Sequence, residues 1–535
     1  MIVQSNTIDV AIIGGGISGI YSAWRLANEK NDLKISLFES SERLGGRLYS
    51  VAIPGIPERI SELGAMRYRS NQLIINNLIE KMNLTSVKFE SSSGENLLYL
   101  RGKHFKHQDF YSSSEIPYNL HQDELGKNPT ELLATAIEKF VPDAKKMSSE
   151  QWNQLKKSLL IDGESIHNIG IWNLLFRSLS VEAYNLLVDA GGYCASLTNW
   201  NAAEALQWFM ITYGEKTEYR TILEGFQSLA LRLAEQFIDR GGVVQKNQQL
   251  ETFNCLDYNE DNNKLIKLIF TDQINGTTNV LYTKHLILAI PQYPLKVLSE
   301  KTDFFEEEIK QDIDSVIAQP AYKLFLGYER PWWKDLGLEY GRSDTDLPIR
   351  EVFYATVKTN SPTNSPTNSP KIEHQNNLNS FILASYHRGF NQAMSFWQPL
   401  IEGKPYLGTK NPFSNSTGLE GLRATKNMVL AVQDQLKELH QIEHIPQPYI
   451  AVFKDWSAKP FGGGFHFWKT HIKPWEVAKR LRRPKQNENV YLCGEAYAAS
   501  EQTWVEGALK TTELMLQENF KLEKPEWLSQ SYQLD

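Results

Sequence analysis

Residues 8–47 read IDVAIIGGGISGIYSAWRLANEKNDLKISLFESSERLGGR, and this stretch decides the fold. The apolar run Val10 to Ile13 ends at a glycine cluster, as a strand buried on both faces does. Gly14, Gly16 and Gly19 stand in GxGxxG register, and apolar residues at helical spacing (Ile20, Trp24, Ala27) follow. A second strand, Lys34 to Phe38, ends in Glu39, twenty residues past the third glycine. Each position has a mechanical reason. Gly14 makes the tight turn, Gly16 lets backbone approach a pyrophosphate, and Gly19 permits close helix–strand contact. The helix N-terminus faces the phosphates, and Glu39 accepts from ribose hydroxyls. Glycine clusters alone are common in loops. Strand, glycines, helix, strand and acid in that order predict a bound dinucleotide.

The next segment, Arg43-Leu44-Gly45-Gly46-Arg47, narrows the cofactor. A Gly-Gly pair between arginines suits a backbone that comes close to a second anionic or planar group. A nicotinamide cofactor needs no such loop here. This RxGGR pattern resembles FAD-binding flavoproteins of the amine oxidase type.

Composition sets the bounds. A chain of 535 residues exceeds one core, so two or three domains are expected. The net charge of −7 and a pI near 6 leave no basic footprint for nucleic acid. Cys194, Cys255 and Cys493 are far apart, without metal-ligand spacing, and read as isolated apolar residues of a reduced chain. No run reaches the roughly 18 apolar residues of a membrane span, and no secretory signal is visible, so a cytoplasmic location is expected.

Along the chain, Glu62-Leu63-Gly64-Ala65-Met66-Arg67 precedes a helical pattern over 71–82. Gly64 and Ala65 offer bare backbone to a flat ring, and Arg67 a planar cationic fork suited to a carboxylate. A hairpin is predicted around Arg101-Gly102, and residues 121–218 read as a helical module. The aromatics of that module, among them Trp172, Phe176, Tyr184, Trp208 and Phe209, read as core. Strands at 219–223, 243–250, 264–270, 280–282 and 286–290 read as a return to the first sheet. A β-rich unit follows from Pro320, interrupted by three T-N-S-P repeats over 359–370 that read as a surface loop. Gly462 to Gly464, among aromatics, read as a turn between strands. The segment 489–495 reads as a strand ending in an acid, and the helix from Trp504 presents its N-terminus to the same site.

These residues resemble the bacterial-type L-amino acid oxidases of the flavin amine oxidase superfamily. The resemblance rests on IGGGISG at 13–19, ESSERLGGR at 39–47, ELGAMRY at 62–68, NIGIWNLL at 168–175 and GGYCASLTNWNAAEAL at 191–206. It continues through YKLFL at 322–326, FGGGFHFW at 461–468 and CGEAYAASEQTWVEGAL at 493–509. It implies an α/β fold: a discontinuous Rossmann-like FAD-binding domain of the GR2 type (1–67, 219–318, 486–517), a β-rich substrate-binding domain (68–120, 319–485), a helical domain (121–218) and a C-terminal tail (518–535). It also implies roles. Gly14, Gly16 and Gly19 hold the diphosphate, Glu39 the ribose, and Arg47 the phosphate side. Gly64, Ala65 and Met66 line the isoalloxazine, Arg67 clamps the substrate carboxylate with Tyr386 at the end of its strand, and Lys323 holds a water near flavin N5. Glu495 binds the ribityl or diphosphate part, Trp504 walls the amino group, and the Val505 N–H lies near the pyrimidine.

The FAD is expected to be non-covalent, since Cys493 is out of register for a covalent link. Thr503 stands where the family often has glycine, which narrows the site. The implied reaction is hydride transfer from the Cα of a free L-amino acid. It gives an imino acid that water converts to a 2-oxo acid and ammonia, while O2 becomes hydrogen peroxide. A homodimer is implied, with no nucleic acid, membrane or metal partner. Amino-acid 2-monooxygenase, another flavin amine oxidase, and a flavin protein without turnover are the alternatives.

Overall fold

Strand Thr7–Ile13 lies between two parallel neighbours, Ile35–Phe38 and Thr278–Leu288, with Val10 opposite both Ile35 and His285. Val243–Gln245 extends this sheet beyond Ile35–Phe38, and Val490–Leu492 pairs in parallel with Leu286–Leu288. This computed structural model describes residues 7–30, 32–191, 198–213, 218–257, 264–355, 379–389, 392–409 and 419–534. Cys194 and the T-N-S-P repeats fall outside them.

The two-residue alternation of the strands sorts the core into two layers. Val10, Ile12, Ile35 and Leu37 pack against helices Ile17–Glu29, Leu73–Lys81, Gln227–Asp239 and Val505–Phe520. Ala11, Ile13, Phe38 and Leu288 face the other way, toward helices Gln292–Ser299, Glu307–Ile313 and Pro474–Arg482 and the strands Gln248–Asp257 and Lys264–Asp272. The Arg25–Glu513 ion pair, 2% and 0% exposed, ties helix Ile17–Glu29 to helix Val505–Phe520. The Tyr21 hydroxyl donates to the same carboxylate at 2.8 Å.

A second sheet runs Ile450–Asp455, Ala321–Tyr328, Ser380–Arg388, Glu351–Phe353, Arg342–Thr345, Leu97–Leu100, Lys103–Lys106. Its last two strands form the hairpin at Arg101-Gly102, both residues with positive φ. Helices Pro129–Glu138, Ser149–Ser158, Ile171–Phe176, Val181–Ala190 and Ala202–Tyr213 pack around Trp152, Ile171, Leu187 and Trp200. Asn128 and Ser148 open two of these helices with reciprocal capping boxes.

Four readings need correction. The strands expected at 280–282 and 286–290 are one strand, Thr278–Leu288. Its first half pairs antiparallel with Ile266–Thr271 and its second half joins the parallel sheet, so its side-chain pattern changes without a break in the backbone. Tyr219–Ile222 does not return to the first sheet. It pairs with Tyr68–Arg69 and Ser86–Lys88, which sets Tyr219 beside the Arg67 segment. Tyr386 is not the end of its strand, which continues to Arg388. The polar segment from 518 is not a free tail. The helix runs to Phe520, and Leu522 and Leu528 are buried in the first core layer, each such burial contributing roughly 1.5–3 kcal/mol. The few apolar residues of a mixed segment decide where it docks.

Candidate active site

The glycine loop is built by backbone contact. A Cβ on Gly19 would sit 1.9 Å from the Gly14 carbonyl oxygen, so only glycine lets helix Ile17–Glu29 begin this close to the strand. That helix has no acid in its first turn, leaving its positive end open to an anion. The Glu39 carboxylate accepts from the Gly15 N–H at 2.7 Å and the Ser41 N–H at 2.9 Å, which holds it at the mouth of the loop. Gly45 N–H donates to the Gly15 carbonyl at 2.8 Å, bringing the RxGGR segment against the glycines. Arg43 is spent on that segment's own carbonyls, donating to Leu44 and Leu48 at 3.2 and 3.0 Å.

Arg47 reaches further. Its guanidinium donates to Glu495 at 2.7 Å and to the Gly464 carbonyl at 3.0 Å. Glu495 in turn accepts from the His466 N–H, from His466 Nδ1 at 2.9 Å and from the Thr503 N–H at 2.9 Å. Burial alone would push this carboxyl up; Arg47 and His466 outweigh burial and hold it down to about 2. Four segments meet on one carboxylate.

Lys323 is 2% exposed and donates to the carbonyls of Glu62 at 2.9 Å and Gly64 at 2.6 Å. Burial pushes its amine down to about 7, against the opposing pull of Glu62 and with help from Arg388 and Arg67. Tyr386 is its cross-strand partner, with the ring centroid 4.8 Å from Nζ. A Cβ on Gly64 would sit 1.9 Å from the Arg47 carbonyl oxygen, so this strand exit also requires glycine.

Between these groups runs a cavity of about 670 Å³, from Glu39 and Gln248 past Gly14, Gly16 and Arg47 to Ala65, Lys323 and Trp504. Through Gly64, Ala65, Tyr386, Phe465 and the Thr503–Val505 segment it meets a second cavity of about 120 Å³. Arg67 and Arg388 face the smaller one, among Trp200, Trp208, Phe209, Phe467 and Met66. The Arg67 guanidinium lies 3.9 Å over the Tyr219 ring, which stacks parallel to Trp504. Arg388 is held by Glu351 at 2.7 Å. Among the described residues no group of His, Cys, Asp and Glu is arranged to hold a metal ion.

The larger cavity fits a flavin dinucleotide by its donor set: a helix end and bare glycine backbone for a diphosphate, a carboxylate for a ribose, and a flat strip at Gly64-Ala65 for a ring. The N-terminus of helix Val505–Phe520 lies at the far end. Among the described residues no cysteine lines the cavity, and the Cys493 thiol packs 3.9 Å from the Ser22 hydroxyl in the core.

A family model for flavin containing amine oxidoreductases matches residues 17–387 and 417–513. The chain belongs to that family. Its cofactor is FAD. This flavin amine oxidoreductase is 27% identical to Aplysianin-A of Aplysia kurodai, over 96% of the chain and 90% of that protein. It is 22% identical to the L-amino acid oxidase bordonein-L of Crotalus durissus terrificus, over 66% of the chain and 64% of that protein. The fold is that of putrescine oxidase, whose putrescine-bound structure covers 96% of the chain at a TM-score of 0.65 and 16% identity.

The structure distributes the expected site residues over two places. Gly14, Gly16, Glu39, Arg47, Lys323 and Glu495 line the larger cavity, while Gly19 lies behind it at the helix–strand contact. Gly64, Ala65, Tyr386, Trp504 and Val505 line both. Met66 and Arg67 border only the smaller cavity. Glu495 reaches the cavity with its oxygens already taken by protein donors. Trp208 and Phe209, read from sequence as core, line the smaller cavity. Arg388 lay outside every quoted motif, and His466, inside FGGGFHFW at 461–468, carried no assigned role. The one signal for Arg388 was its position two residues past Tyr386, on the same face of a strand.

Proposed function

We propose that this flavin amine oxidoreductase takes free L-amino acids with bulky apolar side chains into the smaller cavity, with the carboxylate on Arg67. Oxidative deamination of L-amino acids to 2-oxo acids, with release of ammonia and hydrogen peroxide, follows from the family and its L-amino acid oxidase relatives. The observation that carries the side-chain class is the lining: six aromatic rings besides Tyr386, two arginines, and no acid among the described lining residues. A carboxylate finds cations there, and a cationic side chain finds no counter-ion.

Bound FAD supplies the hydride acceptor and the route for electrons to oxygen. The chain supplies orientation. Arg67, set by stacking on Tyr219, fixes the carboxylate; Tyr386 and Trp504, which both line the junction of the cavities, hold the Cα there. The aromatic walls exclude water from the reacting carbon. Lys323 Nζ, with two of its donors on the carbonyls of Glu62 and Gly64, keeps its remaining valence for a water on the flavin side.

We place the flavin without a covalent link and divide the chain into FAD-binding, substrate-binding and helical domains as the sequence resemblance implies. The homodimer rests on that resemblance alone and is read by light scattering. A cytoplasmic location is supported by Cys255 and Cys493, both free thiols; no helix among the described residues is long and apolar enough to cross a membrane. A peroxide assay over the L-amino acids and several D-isomers, with product analysis, tests the function. Turnover of L-phenylalanine and L-leucine to 2-oxo acids is expected; preference for L-lysine, or formation of an amide and CO2, would reject the reading.

A further inference from the structure

Thr503 is one of the residues at which the two cavities meet, and its backbone has φ +78°. A β-branched residue is an outlier in this region, which glycine occupies freely. The position is over-determined by its surroundings. Thr503 N–H donates to Glu495 at 2.9 Å, and Glu495 is anchored by Arg47 and His466. Two residues earlier, Glu501 also has positive φ and is paired with Arg69. Lys156, in a buried pair with Glu204, donates to the Ala499 carbonyl at 3.1 Å. A strained threonine held this firmly implies a task for its side chain.

That side chain has a partner on the opposite wall. The Trp208 indole N–H donates to Thr503 Oγ1 at 3.2 Å. Trp208 packs edge-on against Trp200 and Phe209, and Trp200 stacks on Phe467 at 4.0 Å, so the hydrogen bond ties Thr503 to an aromatic box. We propose that Thr503 is a specificity-determining residue: its hydroxyl fixes the Trp208 ring as the wall that receives the substrate side chain. The inference rests on the apolar side-chain reading above. A glycine here would relieve the backbone and release the ring.

The test uses holoenzyme and the ratio of kcat/KM for L-phenylalanine to that for L-alanine, whose methyl does not reach Trp208. In Thr503→Val, which keeps shape and strain but cannot accept the indole N–H, the ratio is expected to fall about tenfold, the effect of one buried hydrogen bond. Thr503→Ser, which keeps the acceptor, restores it. Thr503→Gly is expected to keep or raise Tm while losing the discrimination, which a merely structural role would not do. Affinities for phenylpyruvate and pyruvate, read from the flavin absorbance, are expected to diverge in the same way without turnover. A high wild-type ratio unchanged in Thr503→Val, or lost equally in Thr503→Ser, would overturn the proposal alone. A wild-type ratio near one would reject the apolar side-chain reading and this proposal with it.

Discussion

The two cavities are built in opposite ways. In the larger one the glycine loop, Glu39 and the RxGGR segment come from a single stretch, Gly14 to Arg47, whose parts meet on the Gly15 backbone: the Gly45 N–H on its carbonyl and the Glu39 carboxylate on its N–H. The smaller one draws side chains from segments near residues 66, 208, 388, 467 and 504. Backbone contact demands glycine at fixed spacing, so the first site is written as a motif. Side-chain contact demands only the right shape at the end of the fold, so the second is not. The shared rim, Gly64-Ala65 and Thr503 to Val505, is where the two kinds of construction join.

Substitutions on the two sides should therefore fail differently. The largest effect is expected at Gly19. Gly19→Ala puts a Cβ where the Gly14 carbonyl stands, and purified protein should carry less than about a tenth of its flavin, read from the ratio of 450 to 280 nm absorbance. Retained flavin would break the comparison. Arg67→Ala, on the other side, should keep its flavin and lower kcat/KM by about 10²-fold or more, since a charge-assisted carboxylate contact is lost. Unchanged steady-state kinetics would remove Arg67 from the substrate.

Glu495 joins the sides, and pH probes it. Its folded pKa of about 2 lies below the ordinary carboxylate value of 4.5. The stability this contributes is fully present above about 4.5 and is lost as pH falls toward about 2. Thermal melts should show a steeper acid decline for the wild type than for Glu495→Gln; parallel declines would count against the assignment. The smallest effect is expected at Lys323. Lys323→Met should slow the reaction with oxygen roughly tenfold and flavin reduction less, in stopped flow. The reverse order would move Lys323 out of the oxidative step.

Much of the fold was legible where interactions are local. The strand at Val10 to Ile13, the glycines and Glu39 declare themselves within forty residues, as does the helical character of residues 121–218. Thr278–Leu288 was read as two strands because its halves have different neighbours. Tyr219–Ile222 was assigned to the wrong sheet because pairing partners in a three-stranded patch leave no mark on a four-residue run. Trp208 and Phe209 were read as core for a physical reason. An aromatic on a helix face has the same periodicity whether it meets a packed layer or a cavity wall. The 518–534 segment looked polar because its apolar residues are few and scattered: Leu522 and Leu528 are buried, Phe520, Trp527, Tyr532 and Leu534 pack beside them, and the Tyr532 hydroxyl donates to Glu506.

One consequence concerns biosynthesis. The strand Val490–Leu492 completes the parallel sheet, and helix Val505–Phe520 closes one end of the flavin cavity. At synthesis rates of about 5–20 residues per second, the glycine loop leaves the ribosome roughly half a minute or more before these partners exist. Flavin capture is thus a late event of maturation, and once Thr278–Leu288 is made the nascent sheet keeps an open edge there until Val490–Leu492 follows.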